Sequence, residues 1–195
     1  MTTQGGPPVD VELSVVAPVY GNAETLAELA ARVAAAAHAA GLTHELILVN
    51  DASPDHSLAV ARALAAEHPE VMVEDLAVNL GQEGAVQRGL ALARGRWAVT
   101  MDADLQDPPE AIPALVARAQ EGYEAVFAGR RGSYEGRGRL LTSRVAKSLM
   151  HVITGVPRDA GMFILLSRAM VDAVRALPAG RPTLITRVAF AGLPI

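Results

Sequence analysis

Short apolar runs and amphipathic stretches take turns along the first two thirds of this chain, and that alternation restricts the fold more than any other feature. Residues 12–17 (ELSVVA), 45–49 (ELILV), 71–76, 96–101 (RWAVTM) and 124–128 read as strands, with Pro18 closing the first. Between them, residues 23–40, 55–67, 82–94 and 109–121 read as helices, with apolar side chains at helical spacing such as Leu26, Leu29 and Val33. The strand runs are continuous rather than alternating, as expected of a parallel sheet covered by helices on both faces. The expectation is an α/β fold built on a Rossmann-like, mostly parallel sheet. Ligands bind such sheets beyond the carboxyl ends of the strands, here just after Ala17, Val49, Leu76, Met101 and Ala128.

The last third differs. Residues 129–147 gather Arg130, Arg131, Arg137, Arg139, Arg144 and Lys147 among glycines and read as a basic loop leading into a helix over 140–154. Residues 162–166 (MFILL) read as a strand, 168–177 as a helix and 183–189 as a strand. Residues 1–10 are a polar, Gly/Pro-rich leader, and 11–195 are expected to form one domain, truncated at its C-terminus or a minimal form.

Composition narrows the function. With 51% apolar residues and 19% charged, 195 residues can bury a substantial core. There is no cysteine, which excludes disulfides, thiolate metal sites and cysteine nucleophiles. A net charge of −4 is no footprint for general nucleic-acid binding. The five histidines show no metal-ligand spacing. No apolar run is long enough to span a bilayer, and the leader lacks the pattern of a signal peptide. The expected place is the cytoplasm, with a peripheral position at the inner face of the membrane as the alternative.

Three segments carry chemistry. The sharpest is MDADLQDPPE at 101–110, directly after an apolar strand. Asp102, Asp104 and Gln106 are two apart, so an extended backbone would place them on one side. Two carboxylates and an amide oxygen make a hard oxygen site suited to Mg²⁺ or Mn²⁺ together with substrate phosphates. Asp107 reads as the N-cap of the next helix, with Pro108 at its first position and Glu110 at its third. In VNDASPD at 49–55, Asp51 ends the second strand, where an acid can accept hydrogen bonds from a ribose or base. Ser53 and Asp55 read as caps of the following helix. In PVY at 18–20, Tyr20 offers a base an aromatic face and a hydroxyl.

Together these segments resemble the family 2 glycosyltransferases of the GT-A fold, above all the polyprenyl-phosphate sugar synthases. The likeness also takes in Asn79, Leu80 and Gly81, then Ala85, Gly89, Ala93 and Gly95, Tyr123 with Gly129 and Arg130, and Asp159, Gly161, Phe163 and Arg168. It implies that Pro18, Val19, Tyr20 and Asp51 line a nucleoside pocket, with Asp102 by the ribose and diphosphate. Asp104 and Gln106, with Asp102, would hold Mg²⁺ or Mn²⁺. Arg130, Arg139, Ser143 and Arg144 would meet the acceptor phosphate, and Asp159 the donor sugar; Asp104, Asp159 and Arg130 would be the catalytic residues. The implied reaction is inverting transfer of a sugar from a UDP- or GDP-sugar to a polyprenyl phosphate at the membrane surface. The rivals are a transferase that extends a glycan or other hydroxyl acceptor, a nucleotide-sugar-binding module without turnover, and a nucleotidyltransferase. Asn50 stands where many members carry an acid, Ala52 where glycine is usual, and Ile164 where arginine is common.

Overall fold

A computed structural model describes residues 11–129, 156–157, 160–177 and 183–195. The basic segment from 130 and the helix expected over 140–154 therefore lie outside the described residues, as do Asp159 and the leader. The described strands are β1 (Leu13–Val19), β2 (His44–Asn50), β3 (Val71–Asp75), β4 (Trp97–Thr100), β5 (Ala125–Gly129) and β6 (Ala160–Ser167). They form one six-stranded sheet in the order β3-β2-β1-β4-β6-β5. The first four strands are parallel, and β6 runs antiparallel to both β4 and β5.

Helices cover both faces. On one side α1 (Leu26–Ala39), α2 (Ser57–Glu67) and α4 (Ile112–Ala119) pack on Leu13, Val15, Ala17, Leu46, Leu48, Val99 and Leu165. On the other, α3 (Gly81–Leu92), α5 (Arg168–Ala176) and α6 (Leu184–Phe190) pack on Val16, Ile47, Val49, Ala98, Ile164 and Leu166. Alternate residues of each central strand thus enter opposite cores, which explains the unbroken apolar runs. Ile164 is fully buried in the second core. Gly89 lets α3 lie close to the sheet: a Cβ there would sit 2.3 Å from Val16 Cγ1 and 3.0 Å from Val49 Cγ2.

Three expectations change. First, β1 continues through Pro18 to Val19. Val16 O accepts from Met101 N, so Pro18, two residues on, faces the same side, and β4 has already ended at Thr100. The proline has no N–H to extend the pairing, so the β1–β4 ladder stops there while β1 itself continues beside β2. Second, residues 184–190 form a helix rather than a strand. The Thr183 hydroxyl caps it by accepting from Thr186 N at 3.1 Å. Its inward face is Leu184, Arg187 and Val188, and the arginine hides the period. Arg187 is buried because its guanidinium donates to the Val174 and Leu177 carbonyls near the end of α5. Third, the segment expected as one helix over 109–121 begins with a 3₁₀ turn, Pro109–Ala111.

The amino-terminal end of the sheet is closed by a polar cluster built around the buried Ser14 and Glu45. Glu45, 2% exposed, accepts from Ser14 Oγ at 2.6 Å and Arg94 N at 2.8 Å on one oxygen. Its other oxygen accepts from Arg94 Nε at 3.0 Å and Nη2 at 2.8 Å. Gly95 N donates to Ser14 Oγ, and Arg168 Nη2 donates to the carbonyls of Gly95 and Ala93. A Cβ on Gly95 would lie 2.6 Å from Ser14 N, so only glycine fits. Burial alone would raise the Glu45 carboxyl, but the Ser14 and Arg94 bonds outweigh it and hold the group below its ordinary value.

Candidate active site at the carboxyl ends of the strands

The order of strands reverses between β1 and β4, the position at which doubly wound sheets open a crevice. A cleft of about 400 Å³ lies there. The loop after β1 contributes Tyr20 and Asn22 beside Pro18, and the loop after β2 contributes Asp51. Asn79, Gly81 and Gln82 come from the turn into α3, and Asp102, Ala103 and Asp104 from the turn after β4. Asp51 is 3% exposed, whereas Tyr20 is 55% exposed and presents its ring to solvent.

The four loops are tied to one another in a closed circuit. From the β1 loop, Gly21 N donates to Ser53 Oγ at 2.7 Å and Asn22 N to Ser57 Oγ at 3.0 Å. From the β2 loop, Asp51 Oδ1 accepts from Leu80 N at 2.6 Å, and Asp51 O accepts from Asn79 Nδ2 at 3.0 Å. Gln82, in the first turn of α3, donates through Nε2 to Asp102 Oδ1. Thr25 completes the ring by donating through its hydroxyl to Ala103 O at 2.6 Å. Such side-chain-to-backbone bonds fix loops that lack a ladder of their own.

Of the two expected caps, Asp55 accepts the N–H of Ser57, the first residue of α2, whereas Ser53 bonds to Asp55 and to the β1 loop instead. α2 starts at Ser57 and His56 holds the cap position, so Pro54 lies in the loop. Ser53 Oγ donates to Asp55 Oδ1 at 2.6 Å while that oxygen accepts from Ser57 N at 3.0 Å. The bonds from Ser53 and Ser57 hold the Asp55 carboxyl well below the usual carboxylate range.

The turn after β4 also departs from expectation. Residues 102–106 are not extended: Leu105 has φ +62°, and Asp104 Oδ1 accepts from Gln106 N at 3.0 Å. The left-handed residue breaks the alternation that would have put three side chains on one side. Asp102 and Asp104 therefore line the cleft, and Gln106 is not among its lining residues. Nor is Val19, whose side chain belongs to the first core. The cap position falls on Pro108 rather than Asp107, which is buried, and Glu110 reaches out to α1 instead of back to the turn. There Arg32 Nε and Nη2 grip its two oxygens at 2.7 Å each, drawing the Glu110 carboxyl down to about 2.

Arg130, Arg139, Ser143, Arg144 and Asp159 lie outside the described residues. Thr25, Ser57 and Gln82 are members of the circuit that sequence reasoning misses. Gln82 had one available signal, its place directly after the Asn79-Leu80-Gly81 turn.

Electrostatically the cleft is one-sided. Among its described lining residues are three carboxylates, Asp51, Asp102 and Asp104, and no basic side chain. No group of three His, Cys, Asp or Glu placed to hold a metal by itself occurs among the described residues. Two carboxylates facing an open cleft suit Mg²⁺ or Mn²⁺, which keep positions for water and substrate phosphate.

Comparison with known proteins places the chain. Residues 14–168 match the model of glycosyl transferase family 2. The chain is 41% identical over 146 residues to an undecaprenyl-phosphate 4-deoxy-4-formamido-L-arabinose transferase of Shewanella sediminis, which covers 74% of this chain and 44% of that protein. A protein of the same name from Enterobacter sp. is 40% identical over 167 residues, or 84% of this chain and 51% of the relative. The chain thus spans about half the length of these curated relatives. A mannosyltransferase from Pyrobaculum calidifontis, solved with GDP-Man and Mn²⁺, shares the fold with a TM-score of 0.68 at 19% identity, over 96% of this chain and 54% of that one. The mostly parallel sheet with its antiparallel β6 is thus the GT-A architecture, and the chain belongs to glycosyl transferase family 2.

Proposed function

We propose that this chain carries the donor site of a glycosyltransferase that moves a sugar from a UDP- or GDP-sugar to a polyprenyl phosphate. The observation that carries the donor half is the cleft at the β1/β4 reversal, with Asp51 at its back and Asp102 and Asp104 at its mouth. The acceptor half is supported by the undecaprenyl-phosphate transferases to which the chain is similar.

In this reading Tyr20 stacks on the nucleobase and Asp51 accepts an N–H from it, while Pro18 closes the pocket wall. Asp102, oriented by Gln82, lies along the ribose and diphosphate. A bare diphosphate would be repelled by the carboxylates; Asp102 and Asp104 would hold a divalent cation there, and when bound that cation would supply charge neutralisation for the nucleoside diphosphate leaving group. Gln106 is a weaker ligand candidate, because its side chain is off the cleft wall.

The acceptor monophosphate is already ionised at neutral pH, so its oxygen attacks C1 without a strong general base. As the new C1–O bond forms, the bond from C1 to the diphosphate oxygen breaks. The electron pair leaves with the nucleoside diphosphate and the anomeric centre inverts. Two anions must approach each other, and Arg130, Arg139 and Arg144, with Ser143, are the proposed cationic and hydrogen-bonding partners of the acceptor phosphate. Asp159 is the proposed contact to the donor sugar.

Calorimetry with UDP and GDP, with and without Mn²⁺, tests the donor half. Binding of one nucleotide in Mn²⁺, weakened about 100-fold in Asp104→Asn, is expected; that loss corresponds to about 2.7 kcal/mol. Failure of a folded chain to bind either nucleotide would sink it. Release of nucleoside diphosphate only when a polyprenyl phosphate is supplied tests the acceptor half.

A further inference from the structure

We infer that Thr25 is a positioning residue for the donor site, its hydroxyl setting the turn that carries Asp102 and Asp104; this rests on the donor reading above. Thr25 immediately precedes α1 but already has helical dihedrals, φ −100° and ψ −16°, and its N–H donates to Asn22 O at 3.0 Å. Two side-chain caps, Ser167 and Thr183, instead have extended backbones and accept from Met170 N at 3.0 Å and from Thr186 N at 3.1 Å. The Thr25 side chain makes no capping bond and is left for other partners. Its hydroxyl donates at 2.6 Å to the Ala103 carbonyl, 78 residues away, and lies at a longer 3.0 Å from Asn22 O. The recipient gives the shorter contact its meaning, because Ala103 is the residue between the two aspartates and is itself buried.

Two further observations fit. Arg32 lies seven residues on from Thr25, about two helical turns, hence on the same side of α1. It grips Glu110 at the far end of the same segment. Helix α1 therefore splints the segment at both ends, one contact neutral and close to the aspartates, the other ionic and remote. Within the splinted stretch Leu105 keeps φ +62°, a conformation that persists in a non-glycine residue only where its surroundings over-determine it. A partner bonded directly to a metal-binding group typically changes metal affinity by about 10- to 100-fold when removed; Thr25 acts one step further out, through the Ala103 carbonyl, so the lower end of that range is expected.

The test compares the native chain with Thr25→Val, which keeps the shape and removes the donor, and Thr25→Ser, which restores it. Nucleotide binding is measured by calorimetry with UDP and with GDP across a Mn²⁺ series. Amide exchange is measured over residues 102–106. The expected result is a Mn²⁺ midpoint raised about tenfold in Thr25→Val. Faster exchange in the turn, an unchanged fold by circular dichroism and near-native values for Thr25→Ser should accompany it. An unchanged midpoint in Thr25→Val overturns the inference, as does equal impairment of the valine and serine variants. If Thr25→Val does not fold, Thr25→Ala takes its place under the same criteria. If the native chain binds neither nucleotide, the donor reading fails, and the exchange rates alone then decide whether Thr25 sets the turn.

Discussion

The two ends of the central sheet both carry networks of polar side chains, and they are built to opposite ends. At the amino-terminal end, Ser14, Glu45, Arg94, Gly95 and Arg168 close on one another, and the Glu45 carboxylate receives four hydrogen bonds from the protein. At the carboxyl end, Ser53, Asp51, Gln82 and Thr25 tie loop to loop around a cleft into which Asp51, Asp102 and Asp104 face. A saturated carboxylate adds stability and can do nothing else. Carboxylates held at the rim of a cleft keep acceptor capacity for a ligand, and the bonds behind them fix where that capacity points.

This contrast can be broken by mutation. Glu45→Ala should have the largest effect, about 2 kcal/mol of lost stability in urea denaturation, because it leaves the buried Ser14 hydroxyl without its acceptor and frees the Arg94 guanidinium to solvent. Nucleotide affinity should be unchanged. Titration should remove part of the same contribution. The Glu45 carboxyl is depressed in the folded chain, so its stabilisation is complete above the ordinary carboxylate range and fades as pH falls through the lower folded value. Urea midpoints of the native chain should drop more steeply than those of Glu45→Ala as pH falls below the ordinary carboxylate range.

Asp51→Ala sharpens the comparison, because Asp51 belongs to both kinds of network. Loss of the bond from Leu80 N should lower stability by about 1 kcal/mol, and nucleotide binding should weaken with it. Ala52→Gly should have the smallest effect and the opposite sign. Ala52 has φ +51°, so glycine should relieve the backbone and raise stability by about 0.5–1 kcal/mol, less than the strain itself because glycine loosens the unfolded chain. A Tm that falls in Ala52→Gly would show that the loop is held by something other than its own backbone.

Much of the architecture is legible in the sequence because burial on both faces leaves continuous apolar runs such as ELILV. The acids Asp51, Asp102 and Asp104 are legible for a related reason: each stands where such a run ends, and the parallel sheet brings those ends together. The geometry of the turn after β4 is not legible, since nothing in ADLQ announces that Leu105 adopts a left-handed backbone. The helix at 184–190 hides behind Arg187, whose burial depends on carbonyls at the end of another helix. Thr25 and Gln82 are hidden for a different reason. Their partners are 78 and 20 residues away, and no local pattern marks a bond of that span.

The partner of Thr25 is a main-chain carbonyl, and this makes the contact one-sided under substitution. Every residue that could replace Ala103 still presents the same oxygen, so exchanges at 103 report only on side-chain volume. The hydroxyl at 25 has no such redundancy. A mutational scan confined to the acidic motif would register Asp102 and Asp104 and pass over the bond that aims them, whereas compensating changes for a lost hydroxyl would have to arise elsewhere on α1.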